Sequence, residues 1–426
     1  MHDTQKLLSN SLIVFVGTIV GSFFSYLFNM LMGRMLGPTG YGDMTTIMSA
    51  TSIMLVAGGA IVTVVMMYSS ELYAEKNISA LAKLLRIFSR YLLFAGLLFF
   101  LATLIFSSQV AAFFSISNNI YVIIGFSSVI VGLLMALNRG FLQGVQRFLP
   151  LSLIGTAEMV VRVILGVIAV RIGFGVGGAV LATVIATIVA YILSFHPIKK
   201  ILREREVEHS DFNFNKGEIL AFAIPTFFAS LLMAVSVNMD ILLVKHFFDP
   251  RQAGVYAAIS TIGKIILYLV APIIGVMFPM ITEKRTKGEK HYKTLALAVL
   301  VTTIASVLIL AVYAIAPTTV IRILYGSKYT EFYYLLPQVG LFIIIYSLVN
   351  LLCNYFIAVK DFIFIVFYIM VVIVQILAVQ FFHPSIAVVV KEFVLSNAVL
   401  FFLLSAYYLF TKRAQVTAMI KGEYER

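Results

Sequence analysis

The chain consists of long, nearly uninterrupted runs of apolar residues separated by short polar segments. A helix needs about 20 mainly apolar residues to cross the roughly 30 Å hydrocarbon layer of a bilayer, and twelve runs meet this requirement. Because the runs are continuous and do not alternate at every second residue, they predict membrane-spanning helices and not barrel strands. The predicted spans are 11–33, 44–69, 91–108, 120–137, 151–170, 176–195, 219–244, 253–281, 295–316, 335–359, 362–382 and 386–410.

The composition agrees with a polytopic membrane protein. Of the 426 residues, 61% are hydrophobic and only 12% are charged, and the mean hydropathy is +1.03. Soluble proteins are about 45–50% apolar and about 25% charged, so a soluble enzyme and a disordered chain are both excluded. The single cysteine, Cys353, rules out an intrachain disulfide. The first apolar run is too long for a signal peptide, and we interpret it as a span.

The distribution of basic residues predicts the orientation. With the N-terminus in the cytoplasm, 22 of the 31 Lys and Arg residues fall in inner segments, six in outer segments and three within spans. This bias predicts that both termini are cytoplasmic and that the protein lies in the cell membrane. The net charge of +12 is therefore attributed to contacts with membrane lipid, and no nucleic-acid partner is expected.

A charged stretch and an internal repeat both divide the spans six and six. The stretch 199–218 predicts a cytoplasmic linker between an N-terminal lobe, 1–198, and a C-terminal lobe, 219–426. A short pattern recurs at an offset of 211 or 212 residues, which indicates a duplicated half with a pseudo-twofold axis along the membrane normal. The matching pairs are Asn29 with Asp240, Arg34 with Lys245, Pro38 with Pro250, and Gly42 with Gly254.

No enzymatic or metal-binding motif is present, so we expect a transporter with no catalytic residue, metal or cofactor. Attention moves to ionisable groups within the spans, which cost about 2.5–3.5 kcal/mol each and usually face a bundle interior. Glu158 and Arg162 lie four residues apart on one helix face. They are either a self-neutralising pair, or Arg162 presents its guanidinium to an anionic substrate while Glu158 holds or releases it.

A second buried cation, Lys264, lies in span eight. If the two halves face each other, Arg162 and Lys264 make a positive central cavity suited to a phosphate or diphosphate. Asn29 and Asn238 are further candidates for lining that cavity.

Two carboxylates are candidates for ion coupling, namely Glu158 and Asp240. Asp240 pairs with Lys264, coordinates a cation, or is an interfacial carboxylate in contact with water. Arg139 and Arg147, between spans four and five, either gather an anionic headgroup at the inner face or serve as cytoplasmic anchors.

Three segments carry a family resemblance. GRMLGPTGYGD at 33–43 resembles the first outer loop of the oligosaccharide flippases, which are polysaccharide-biosynthesis proteins of the multidrug/oligosaccharidyl-lipid/polysaccharide exporter (MOP) superfamily. NRGFLQGVQRF at 138–148 is similar to the family's cytoplasmic loop between spans four and five. GVYAAISTIGKIILYLVAPIIGVMFPMITE at 254–283 is similar to its eighth helix.

The resemblance implies an all-α polytopic fold of twelve transmembrane helices in two six-helix bundles, like that of the multidrug exporters called MATE. It also implies a flippase that moves polyprenyl-diphosphate-linked sugars from the cytoplasmic to the outer leaflet by alternating access. Such proteins are often driven by a proton or sodium gradient. We expect a monomer that works beside glycosyltransferases or a polymerase of the same pathway.

Two alternatives remain at this point. One is a multidrug or cation exporter of the same superfamily, which would need acidic and aromatic groups facing its substrate. The other is a membrane protein that transports nothing and assists a glycan polymerase, or the glycan polymerase itself. The polymerase would need a large outer loop. The longest predicted outer connection, 317–334, is short and has no catalytic cluster.

Overall fold

The computed structural model describes residues 2–203, 216–287, 289 and 291–421. Within these residues the secondary structure is helical and contains no strand. The helices are α1 (His2–Met54), α2 (Val56–Ala74), α3 (Ile78–Phe113), α4 (Asn119–Gly144), α5 (Phe148–Arg171), α6 (Gly175–Arg203), α7 (Lys216–Phe247), α8 (Pro250–Gly263), α9 (Ile265–Thr286), α10 (Tyr292–Ile315), α11 (Pro317–Leu324), α12 (Leu335–Ala358), α13 (Phe364–Phe381) and α14 (Ile386–Lys421), with a 3₁₀ helix at Ser327–Phe332.

The first two predicted spans form one helical run that leaves the helical conformation at a glycine, with a single turn residue, Leu55, between α1 and α2. The run Val16–Ala74 has 59 residues, which at 1.5 Å per residue is about 88 Å, nearly three times the hydrocarbon thickness. Gly37 has φ 71° and ψ 175°, outside the helical region, and Pro38 follows it. A residue without a side chain tolerates this conformation, and proline suits the first turn of a new helix.

The predicted number of spans is confirmed. Eleven helical segments of the described chain are long and apolar enough to cross a membrane, and one of them is the run broken at Gly37. Counting that run as two spans gives twelve. Many large apolar side chains on the helices are exposed, including Ile315 at 84% and Phe381 at 82%, as expected for surfaces that face lipid.

Several predicted spans are shorter than the helices that contain them, and α3 and α4 are two examples. Span 91–108 lies within α3, which begins 13 residues earlier, and span 120–137 lies within α4, which continues for seven more residues. The helices extend beyond the apolar core because their polar ends still complete backbone hydrogen bonds. The side chain of Asn77, for example, accepts a hydrogen bond from the backbone N–H of Ala80 at the start of α3.

The described residues form two compact units. The first unit comprises Met1–Thr261 and Ile321–Glu331, and the second comprises Ile262–Val320 and Phe332–Arg426. In the first unit α5 packs along α1 and α6, while α4 packs against α2, α3 and α6. In the second unit α12 is the central helix, packed against α9, α10 and α14. The lobes predicted at 1–198 and 219–426 stay a prediction, and residues 204–215 of the predicted linker lie outside the described residues.

The repeat-related glycines contact each other in the first unit. A Cβ added to Gly42 would lie 3.0 Å from Cα of Gly254, and a Cβ added to Gly254 would overlap the carbonyl oxygen of Pro38. The start of α8 therefore crosses the second half of α1 at a distance that only glycine permits. Gly42 and Gly254, which the repeat pairs, therefore both allow α1 and α8 to pack closely.

Candidate functional site

A buried carboxylate lies at the centre of the candidate site in the first unit. Glu158, in α5, is 4% exposed. The hydroxyl of Thr187, in α6, donates a hydrogen bond of 3.0 Å to Oε1 of Glu158. The close packing of α5 along α6 brings these two side chains together. An ionised carboxylate in such an interior costs free energy unless charged partners compensate it.

Two arginines provide this compensation. Nη2 of Arg139 lies 2.7 Å from Oε2 of Glu158, and Nη2 of Arg162 lies 3.6 Å from Oε1. The side chains of Arg139 and Arg162 are 40% and 17% exposed, whereas that of Glu158 is 5% exposed. These three residues and Thr187 are called the arginine–glutamate cluster below. Its two guanidinium groups and one carboxylate leave an excess of positive charge.

The position of Arg139 differs from the sequence prediction. The segment 138–148 was predicted as a cytoplasmic loop, but α4 continues as a helix to Gly144. Gly140 and Gly144 face the backbone of α2. A Cβ on Gly140 would lie 2.8 Å from the carbonyl oxygen of Val62, and a Cβ on Gly144 would lie 2.6 Å from that of Met66. Two glycines four residues apart are typical of close helix packing in membranes. This spacing is the signal that would have extended the packed helix past Arg139.

The guanidinium of Arg162 also contacts an aromatic ring of α1. Its Cζ lies 5.9 Å from the ring centroid of Phe28, within the range of a cation–π interaction. Phe28 is itself buried. Arg162 is therefore oriented by two groups at once, a carboxylate on its own helix and a ring on a neighbouring helix.

The cluster has the chemistry of an anion-binding site. Each guanidinium presents planar N–H donors that match the oxygens of a phosphate, and arginine remains charged in a partly buried place. The carboxylate occupies part of this donor capacity. The predicted contact between Glu158 and Arg162 is present, and Arg139 is a third member that the sequence did not assign to it.

Three other predicted site residues lie at helix boundaries or on another helix of the chain. Arg147 is an exposed residue at the N-terminal boundary of α5. Asn238 donates its side-chain N–H to the carbonyl oxygen of Ala234 on its own helix. Lys264 belongs to the second unit and lies where the helix is interrupted between α8 and α9. The cavity predicted to be shared by Arg162 and Lys264 stays a prediction.

Asp240 and Asn29 make corresponding contacts in the first unit. Asp240 is fully buried in α7 and accepts hydrogen bonds from the hydroxyls of Tyr256 and Ser260 in α8. Asn29, its partner in the repeat, accepts a hydrogen bond of 3.4 Å from Tyr41. Asn29 and Tyr41 lie on either side of the break at Gly37, and Asp240 and Tyr256 lie on either side of the connection between α7 and α8.

A buried ion pair is a feature that the sequence did not reveal. Nζ of Lys245 lies 2.7 Å from Oδ1 of Asp43, and both side chains are 1% exposed. The second carboxylate oxygen, Oδ2, accepts hydrogen bonds from the backbone N–H and the hydroxyl of Ser117. Asp43 was part of a predicted loop motif, and Lys245 was counted among the outer basic residues. Only the folded chain shows that they meet.

A second unpredicted feature is a cluster of three buried tyrosines, Tyr41, Tyr325 and Tyr329. Their ring centroids lie 5.3 to 6.3 Å apart. The hydroxyl of Tyr329 donates to the carbonyl oxygen of Gly33, and burial raises the pKa of Tyr329 well above its usual value. The connection between α10 and α12 thereby packs onto the end of the first span.

Among the described residues, no group of three or more His, Cys, Asp or Glu side chains is arranged to hold a metal ion.

Comparison with known proteins identifies the fold. Residues 7–285 match the family model described as polysaccharide biosynthesis protein. An inward-facing multidrug resistance MATE family transporter of the MOP superfamily superposes with a TM-score of 0.74 at 14% identity, over 96% of this chain and 99% of that chain. A MOP superfamily transporter from Pyrococcus furiosus, described as having a binding pocket of reversed polarity that suggests a different function, superposes with a TM-score of 0.68 at 15% identity, over 96% of each chain.

No curated protein sequence matches the chain significantly. The structural matches confirm the predicted MATE-like, all-α polytopic fold class, and the family model confirms the resemblance found in the sequence. The chain therefore belongs to the polysaccharide biosynthesis protein family and is a multi-pass membrane protein with the fold of the MOP superfamily transporters.

Proposed function

We propose that the protein is a lipid-linked oligosaccharide flippase. It moves polyprenyl-diphosphate-linked sugars from the cytoplasmic to the outer leaflet by alternating access, for the synthesis of cell-surface polysaccharide. The arginine–glutamate cluster is the observation that carries this proposal. Two partly exposed guanidinium groups in a membrane protein of a polysaccharide-biosynthesis family suit the diphosphate that all such substrates share.

The polarity of the cluster favours this function over cation export. An exporter of cationic drugs needs accessible carboxylates and aromatic faces. Here the carboxylate of Glu158 is buried behind Arg139 and Arg162, so an approaching solute meets positive charge first.

The experiment is transport in proteoliposomes loaded with a fluorescent polyprenyl-diphosphate sugar. The double variant Arg139→Gln and Arg162→Gln should reduce translocation more than about tenfold, since each charged hydrogen bond contributes about 1.5–3 kcal/mol. Arg171→Gln is the matched control, because it removes an exposed arginine at the end of α5, the helix that carries Arg162. Undiminished translocation by the double variant, or export of a cationic dye by the unmodified protein, would contradict the proposal.

The remaining features of the proposal follow from the same function. Transport is coupled to a proton or sodium gradient, with Asp240 and Glu158 as the candidate coupling residues. The protein is a monomer in the cell membrane with both termini in the cytoplasm. Glycosyltransferases that make the substrate and a polymerase that consumes it are the proposed partners.

A further inference from the structure

The three charged side chains of the arginine–glutamate cluster are arranged in order of exposure. The side chain of Arg139 is the most exposed at 40%, that of Arg162 follows at 17%, and that of Glu158 is 5% exposed. An anion that reaches the cluster therefore contacts a guanidinium before it contacts the carboxylate. Glu158 already occupies the donors that such an anion would use.

Binding of an anion to these arginines therefore requires competition with Glu158. A buried carboxylate that loses a charged partner is destabilised, because the low-dielectric interior solvates it poorly. The hydrogen bond from Thr187 to Oε1 offsets only part of this loss, since a hydroxyl carries no charge. An incoming anion must contribute more interaction energy than the contacts that it replaces.

Charge decides which anions meet this condition. A singly charged phosphodiester offers the arginines about the same electrostatic attraction as the carboxylate that it displaces, so the exchange gains little. A diphosphate carries more negative charge and more acceptor oxygens, and it can engage both guanidinium groups while Glu158 retreats.

We propose that Glu158 is a specificity-determining residue. It is an internal anion whose displacement costs free energy whichever anion binds, so that multiply charged phosphates still bind the arginine pair and singly charged phospholipid headgroups do not. The proposal rests on the proposed function and deepens it. Ordinary phospholipids surround the protein in great excess. A positive site without an internal competitor would be occupied by them.

The test compares two lipids with the same tail and different charge, farnesyl diphosphate and farnesyl methyl phosphate. Binding of each is measured to the purified protein in nanodiscs made of uncharged lipid. The unmodified protein should bind the diphosphate at least about tenfold more tightly, a difference of about 1.4 kcal/mol. Glu158→Gln should bind both lipids at least several-fold more tightly, because neither lipid then has to displace the carboxylate, so that the phosphodiester also occupies the site.

Two further variants make the result specific. Glu158→Asp keeps the charge and should keep the weak binding of the phosphodiester, which separates loss of charge from loss of shape. Asp361→Asn removes a carboxylate in the connection between α12 and α13 and should change neither affinity. Thermal unfolding of each variant checks that the protein is folded.

The outcomes separate this inference from the proposed function. Weaker binding of both lipids by Glu158→Gln would overturn the inference, because it would make Glu158 a residue that only positions the arginines. An unchanged affinity of Glu158→Gln for the phosphodiester would also overturn it. If the Arg139→Gln and Arg162→Gln double variant binds the diphosphate as tightly as the unmodified protein, the proposed function itself fails.

Discussion

At the scale of single residues, the charged groups within the spans are the most informative part of the sequence. Their insertion is costly, and the structure shows how one carboxylate is compensated: Glu158 contacts two arginines and a threonine. The spacing of Glu158 and Arg162 predicted their contact. No sequence pattern near Glu158 predicted Arg139, because that residue comes from another helix.

The first prediction concerns the two cations of the proposed substrate pathway. The sequence predicts that both cations bind the diphosphate, so Arg162→Ala and Lys264→Ala should each lower translocation to less than about a tenth of the unmodified level. Expression should be unaffected. In the first variant Glu158 still contacts Arg139 and Thr187. A complementation assay with immunoblotting measures both quantities, and full activity of both variants would remove the argument for a basic cavity.

A second prediction concerns His291, between α9 and α10. Burial, with the positive charges of Arg285 and Lys284, lowers the pKa of His291 below its ordinary value. The unfolded chain thus binds this proton more tightly than the folded protein does. Neutral His291 therefore stabilises the folded protein above about pH 6.5, and this stabilisation is lost as the pH falls through the lowered pKa.

Thermal unfolding at about pH 7.5 and about pH 5 tests the prediction for His291. His291→Gln should reduce the loss of stability on acidification, because glutamine takes up no proton. An equal loss in the variant and the unmodified protein would assign the pH dependence to other groups.

At the scale of elements, buried polar contacts fix how helices of the first unit meet. The ion pair of Asp43 and Lys245 joins the start of the second span to the end of α7, and Ser117 adds the connection between α3 and α4. The contact of Gly42 with Gly254 sets the distance between the second span and α8. The repeat in the sequence paired these glycines with each other but did not indicate that they touch.

The third prediction follows from the burial of this ion pair. Lys245→Met should destabilise the protein by about 3–5 kcal/mol, because the carboxylate of Asp43 would stay buried without its ammonium partner. The double variant Asp43→Leu and Lys245→Met should lose less than the single variant. Thermal unfolding in detergent measures the difference.

The control for that prediction is an exposed ion pair in the same unit. Arg251 and Glu331 lie 3.3 Å apart with side chains 63% and 36% exposed, so Arg251→Ala should cost less than about 1 kcal/mol. Equal effects of Lys245→Met and Arg251→Ala would show that burial of the first pair contributes nothing.

At the scale of the whole molecule, the orientation inferred from basic residues makes the fourth prediction. Cys353 is the only cysteine, so Cys353→Ser gives a background without thiols. On it, Lys328→Cys should react with a membrane-impermeant maleimide added outside intact cells. Glu75→Cys should react only after the membrane is opened. Both positions are exposed in the folded chain.

The expected difference in labelling from outside is at least several-fold, because the bilayer excludes the charged reagent from the inner face. If Glu75→Cys reacts in intact cells and Lys328→Cys does not, the orientation is the opposite of the proposed one, and so is the direction of transport. This outcome would leave the fold unchanged, since the number of spans does not depend on orientation.

The sequence by itself determined the fold class, the number of spans and the family. Each of these depends on local properties: the length of apolar runs against the thickness of a bilayer, and short motifs at fixed positions. The motif at 33–43 contains Gly37, where the helix breaks. A residue without a side chain adopts that backbone conformation readily.

The tertiary structure alone decided which polar groups meet. Arg139 with Glu158, Lys245 with Asp43, and Tyr329 with Gly33 are separated by 19, 202 and 296 residues along the chain. A single sequence has no signal that relates such distant positions, whereas a bundle in an apolar medium must bring buried polar groups together, because each left unpaired is costly. The candidate site is therefore a product of helix packing, built from residues that the sequence could mark as unusual but could not pair.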